Sequence, residues 1–178
     1  MIIDKVRKTG TAVATVAIAA ALLAGASVTA SAAPNTTAVA SDTLPQLINP
    51  AALQWVKTIP EAGDRSPEYA ILRSDPETKL TMLMFRTPVA VRIKPHTHDR
   101  AETHVILVGG THTFDSNGVR YNVQNGGFFR APGGVVHEAW LPAGSQTLNI
   151  LESGWVVNWL KGGPSKEDLD QYPPAKAR

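Results

Sequence analysis

Lys94-Pro95-His96-Thr97-His98-Asp99-Arg100-Ala101-Glu102-Thr103-His104-Val105-Ile106-Leu107-Val108-Gly109 is the stretch whose reading decides the fold. Side chains two apart on a strand point to the same face, so His96 and His98 can converge on one point. Asp99-Arg100-Ala101 is short and polar enough to reverse the chain, and Glu102 then opens an apolar run, Val105-Ile106-Leu107-Val108, that ends at Gly109-Gly110. The reversal brings a carboxylate back towards the two imidazoles. A second segment holds Gly126, Pro132, Gly134 and His137; Pro132-Gly133-Gly134 makes a tight turn and launches a strand over residues 135–141. His137, near the start of that strand, would supply a third imidazole. Three His and one Glu form a mixed nitrogen and oxygen set suited to one divalent transition metal ion, whether Fe, Mn, Ni, Cu or Zn, with one or two positions left open.

The frame of His-x-His, three residues, Glu, six residues, Gly, followed by Gly, five residues, Pro, one residue, Gly, two residues, His, resembles the two signature motifs of the cupin superfamily. The match falls on His96, His98, Glu102, Gly109, Gly126, Pro132, Gly134 and His137; the Asn that often stands four residues beyond the last His is Leu141 here. The resemblance implies an all-β fold: one antiparallel double-stranded β-barrel, or jelly roll, with the metal inside. It implies His96, His98 and His137 as metal ligands. Glu102 would be either a fourth ligand or, swung off the metal, the catalytic base, with its pKa raised by burial. The implied activity is that of a metal-dependent dioxygenase cleaving carbon-carbon bonds in a small enol, diketone or phenolic compound. The alternatives are a metal-dependent lyase or isomerase, and a non-catalytic barrel that binds a metal or small ligand. Cupins commonly pair through their outer sheet, so a homodimer is a further expectation.

Two histidines remain. His104 lies two residues past Glu102 and so shares its face, either lining the pocket beside the ligands or packed against a neighbouring strand. His112 alternates with Thr111 and Thr113 and is expected at the surface.

The 178 residues contain no internal repeat, which bounds the chain to one domain plus terminal segments. Lys5, Arg7 and Lys8 precede an Ala-rich apolar run and then Ala30-Ser31-Ala32, a small-x-small cleavage pattern. Residues 1–32 thus read as a secretory signal peptide, with a single membrane anchor as the alternative, and the destination as periplasmic or extracellular. Residues 33–43 read as a flexible lead-in, 44–160 as the barrel domain and 161–178 as a C-terminal tail. The formal charge of +2 drops to zero once Asp4, Lys5, Arg7 and Lys8 are removed with the leader. A mature chain without a basic cluster points away from nucleic acid and from a membrane surface after cleavage, leaving a small molecule as the expected partner. No Cys is present, so the fold rests on its core.

Short runs of β-prone residues between turn residues predict strands over 69–73 and 79–86 as a hairpin, then over 89–98, 102–108, 111–114, 119–123, 128–130 and 135–141. Residues 147–152 and 155–160 are expected to close the barrel as a pair. Asn117-Gly118 marks a hairpin turn. Residues 49–56 suit a helical turn or an entering strand, and 61–67 a loop. Met82, Met84 and Phe85 are expected in the core, as are Trp55, Trp140, Trp155 and Trp159, for which the pocket mouth is the alternative. Ser165 and Asp168 can cap a brief helix in a tail packed loosely outside.

Overall fold

The computed structural model describes residues 46–175. The expected signal peptide, 1–32, and lead-in, 33–43, lie outside the described residues. Eleven strands follow in order: β1 Val56–Lys57, β2 Glu68–Ser74, β3 Thr81–Thr87, β4 Val91–Thr97, β5 Glu102–Val108, β6 His112–Ser116, β7 Val119–Val123, β8 Phe128–Ala131, β9 His137–Leu141, β10 Ser145–Leu151 and β11 Asn158–Trp159. The helical content of the described residues is three 3-10 turns, at Pro50–Ala52, Pro60–Arg65 and Lys166–Asp168. Pairing is antiparallel throughout, in a six-stranded sheet of order β1-β2-β3-β10-β5-β8 and a five-stranded sheet of order β11-β4-β9-β6-β7. This is the expected all-β jelly roll.

The two sheets enclose one core, to which the first gives Leu83, Phe85, Ile106 and Leu151 and the second Val91, Phe114, Ala139 and Leu141. The strand period of two decides which residues enter it. On β3, Thr81, Leu83, Phe85 and Thr87 are buried while Met82 and Met84 lie on the other face, half covered. The expectation of a core Met82 and Met84 is corrected here, because Phe85 and the methionines are out of phase. Of the tryptophans, Trp140 is buried, whereas Trp55, Trp155 and Trp159 are half-buried. Leu141, in place of the Asn of the resembled pattern, packs in the core. Asn117 and Gly118 both adopt positive φ, 50° and 75°, as a tight β6–β7 hairpin requires.

Two further expectations are corrected. Residues 147–152 and 155–160 do not pair with each other. Strand β10 already has β3 and β5 as neighbours, so no free edge remains beside it, and β11 instead pairs with β4 in the other sheet. The tail is also held more firmly than expected. Leu169 is buried, its backbone bridges to Val91, and Asp168 accepts from Lys94 at 3.0 Å while closing a capping box with Ser165.

Gly109, at the end of β5, has φ 111°, and a Cβ there would stand 2.4 Å from Ser145 Cα. Both the backbone conformation and the close approach demand glycine. Gly109→Ala is expected to destabilise the fold by about 3 kcal/mol, read as a lowered urea midpoint with an unchanged slope.

Candidate metal centre

The centre is assembled where strands begin and end. His96 lies near the end of β4 and His98 just beyond it, Glu102 opens β5 and His137 opens β9. The sheet register pairs His96 with His137 directly, so two imidazoles from distant parts of the sequence face each other. The turn after His98 is tied to the segment before β9, since Gly134 N–H donates to the His98 carbonyl at 2.8 Å. All four side chains are buried, and one ligand atom from each lies within 4.8 Å of the others. The structure thus brings together His96, His98, Glu102 and His137 as the sequence predicts.

Each imidazole is anchored through its Nδ1. His96 Nδ1 donates to the Lys94 carbonyl at 2.7 Å, His98 Nδ1 to the Val156 carbonyl at 2.6 Å and His137 Nδ1 to the Val135 carbonyl at 3.0 Å. With Nδ1 engaged, Nε2 is the nitrogen each ring turns into the centre, and it would carry a lone pair there when an ion is bound. Trp159 packs on the His96 ring with centroids 5.0 Å apart. Val156 and Trp159 carry no sequence signal of this role, since one acts through its backbone and the other reaches His96 by the unexpected β11–β4 pairing.

Glu102 Oε2 lies 2.8 Å from His98 Nε2 and 3.4 Å from His137 Nε2. His98 Nε2 nevertheless makes no hydrogen bond of good geometry, although it is fully enclosed. A carboxylate oxygen and an imidazole lone pair this close repel unless a cation lies near both. The donor set and the enclosed, unbonded Nε2 therefore fit a divalent metal ion held by His96, His98 and His137 through Nε2 and by Glu102 through Oε2.

Burial, aided by the neighbouring His137, pushes the His96 pKa down to about 3, so this ring stays neutral at ordinary pH. For His98 burial acts in the same direction, but the Glu102 carboxylate outweighs it and the pKa is raised. The expectation of a raised Glu102 pKa is overturned. Burial does act to raise it, yet His104, His137 and His98 together hold the carboxyl well below its usual range. Held ionised in this way, Glu102 is poorly matched to taking up a proton.

His104 is on the same inward face, with Nε2 3.0 Å from Glu102 Oε2. The other carboxylate oxygen, Oε1, accepts from Asn149 Nδ2 at 3.3 Å. Asn149 was missed by sequence reasoning: on β10 the buried set is Ser145, Thr147, Asn149 and Leu151, with Leu148 and Ile150 on the less buried face. Within that set Asn149 bonds Glu102 directly and Thr147 donates to Asn149 at 2.6 Å. His112 is corrected from exposed to fully buried, being in phase with core Phe114 on β6.

No protein-family model matches the chain, and no curated protein matches it. Solved structures do match its fold. An RmlC-like cupin from Shewanella frigidimarina aligns with TM-score 0.52 at 14% identity, over 63% of this chain and 94% of that one. An acetylacetone dioxygenase from Acinetobacter johnsonii aligns with TM-score 0.50 at 19% identity, over 63% and 76%. An RmlC-like cupin from Ralstonia eutropha aligns with TM-score 0.50 at 15% identity, over 61% and 69%. The chain is therefore a protein of the cupin fold. Within that class it has a single barrel among the described residues, with one three-histidine, one-glutamate centre inside it.

Proposed function

We propose that this chain is an exported metal-dependent dioxygenase acting on a small enol, diketone or phenolic compound. The observation that carries the reading is the convergence of three buried imidazoles, each held by an Nδ1 bond to a backbone carbonyl, with one buried carboxylate. Such a set satisfies four positions of an ion and leaves others for two substrate oxygens. The dioxygenase from Acinetobacter johnsonii, which shares the fold, supports this choice among cupin chemistries.

When bound, the ion would polarise the substrate oxygens and supply the site at which O2 reacts. The chain's own residues do the rest. The three carbonyl anchors hold the imidazoles in place without reorganisation, and the buried setting of the four ligands keeps bulk water away from them. Glu102 holds negative charge at the centre, with one oxygen facing the histidines and the other tied to Asn149. The substrate would enter as its enolate, having released its proton to bulk solvent, since Glu102 is poorly matched to taking one up. We further propose a periplasmic or extracellular location, and a homodimer.

Acetylacetone added to the iron-loaded protein in an oxygen electrode is expected to drive O2 uptake in step with diketone loss. Glu102→Ala is expected to lower that rate by roughly 100-fold. Diketone loss at an undiminished rate without O2 would overturn the dioxygenase reading in favour of a lyase.

A further inference from the structure

We propose that residues 156–162, which carry β11, form a flap through which a divalent transition metal ion reaches and leaves the buried centre. The inference rests on the four-residue metal centre and is independent of the reaction run there.

His96, His98, Glu102 and His137 are only 2–4% exposed, so the closed barrel offers an ion no direct path to them. A wall of the centre has to move. Strand β4 lies between β11 and β9, β9 between β4 and β6, and β5 between β10 and β8, so no ligand-bearing strand can leave without opening the interior of a sheet. Two edge strands reach the ligands. One, β8, sets Phe129 against His137 with ring centroids 6.0 Å apart, but Phe129 and Ala131 are buried and four register pairs hold the strand to β5. The other, β11, has two register pairs, Asn158 with Thr97 and Trp159 with His96. Between Leu151 and Asp168, both buried, not one residue is.

This lightly held segment nevertheless closes one side of the centre. The Val156 carbonyl anchors His98 Nδ1 at 2.6 Å, and the Trp159 ring covers His96 at 5.0 Å between centroids. Two further bonds tie it down: Leu160 N–H donates to the Pro95 carbonyl at 3.1 Å and Asn158 Nδ2 to Asp99 Oδ1 at 2.9 Å. The ends are fixed. Trp155 packs on Tyr69 with ring centroids 5.2 Å apart, and Lys94 Nζ donates to the Gly163 carbonyl at 3.1 Å and to Ser165 Oγ at 3.0 Å. Gly154 and Gly162, with φ 86° and 55°, bracket the free part and accept the backbone changes of a hinge. Few buried contacts, and hydrogen bonds that water can replace, make such a segment open ahead of the rest of the fold. When it lifts, Trp159 leaves His96 and His98 loses its carbonyl, while Glu102 and His137 stay in their sheets.

A reversible lock tests this. Thr97 and Asn158 are register partners, and Thr97, between two inward histidines, points away from the ligands. Paired Cα atoms of antiparallel strands stand about 4.5–5.5 Å apart, within disulfide reach, and the chain has no cysteine of its own. The full mature protein carrying Thr97→Cys/Asn158→Cys is prepared in a bridged form and in a reduced form capped with iodoacetamide, so that no thiol takes zinc. Zinc uptake, and release to a coloured chelator, are timed for both forms and for the unaltered protein. The bridged form is expected to be at least about 10-fold slower than either in both directions, with Kd within about threefold, and to recover when the bridge is reduced. Asn158→Ala, which cuts the tie to Asp99, should speed both steps. Equal rates in the bridged and capped forms would overturn the flap and leave the centre standing. Slower release matched by an equal gain in affinity would also overturn it, the bridge then stabilising the bound state instead of closing a path. If the folded, unaltered protein binds no zinc, the centre itself fails and the flap falls with it.

Discussion

Replacing His96 and His137 together by alanine should lower zinc or cobalt affinity by more than about 100-fold while leaving the β-sheet signal in circular dichroism intact. Loss of a group that merely orients a ligand already costs 10–100-fold, and here two ligands themselves are removed. The two rings face each other across the β4–β9 register, with centroids 4.3 Å apart, so the double change empties one side of the centre. His98 and Glu102 alone cannot hold a divalent ion against a chelator of moderate strength. Competition with a coloured chelator measures the effect. Cobalt adds a second reading, since its visible spectrum reports coordination number. An affinity within about threefold of the unaltered protein would mean that the ion sits elsewhere.

In the metal-free protein, stability should fall by about 2–4 kcal/mol as the pH is lowered from 7 to 5. The direction follows from where protons bind. His96 and His112 titrate in the folded chain at about 3 and about 4, against 6.5 ordinarily, so between those values the unfolded chain binds more protons. The stability they contribute is present above pH 6.5 and is lost as the pH falls. Each histidine withdraws about 2 kcal/mol by pH 5. His98 has the opposite sign: its pKa is raised, so it contributes stability below 6.5 that disappears as the pH rises through its folded value, and it offsets part of the loss. Glu102, depressed below the carboxylate range, contributes stability that is constant between pH 5 and 7 and is lost only on further acidification. Urea midpoints with chelator present at pH 5, 6 and 7 measure the balance. A flat or rising stability on acidification would show that the imidazoles do not sit neutral and buried in the apoprotein.

Where the sequence could be read, one physical rule did most of the deciding. Residues two apart share a face of a strand, and that spacing alone puts His96 with His98 and Glu102 with His104. The same rule, applied from the wrong neighbour, misplaced His112. Its polar flanks Thr111 and Thr113 suggested the surface, whereas its phase with Phe114 takes it inside. The inward phase of β10 carried no clear mark at all: Thr147 and Asn149 are buried while Leu148 and Ile150 lie on the less buried face.

What was not legible is mostly non-local. Nothing in residues 155–169 says that β10 has no free edge, that Trp159 will reach His96, or that Val156 will offer its carbonyl to His98. The pKa of Glu102 belongs to the same class. Burial alone predicts a rise, and only the positions of His104, His137 and His98 around it reverse the sign.

The central claim is that the barrel holds one transition metal ion on His96, His98, Glu102 and His137. Its most direct test is the elemental content of the mature protein, exported to a bacterial periplasm and purified with neither added metal nor chelator, together with X-ray absorption of the bound ion. The expected result is close to one ion per chain with a first shell of three imidazole nitrogens and a carboxylate oxygen. A folded barrel that carries no metal and takes up none on addition of zinc, or an ion with fewer than two imidazoles, would contradict it.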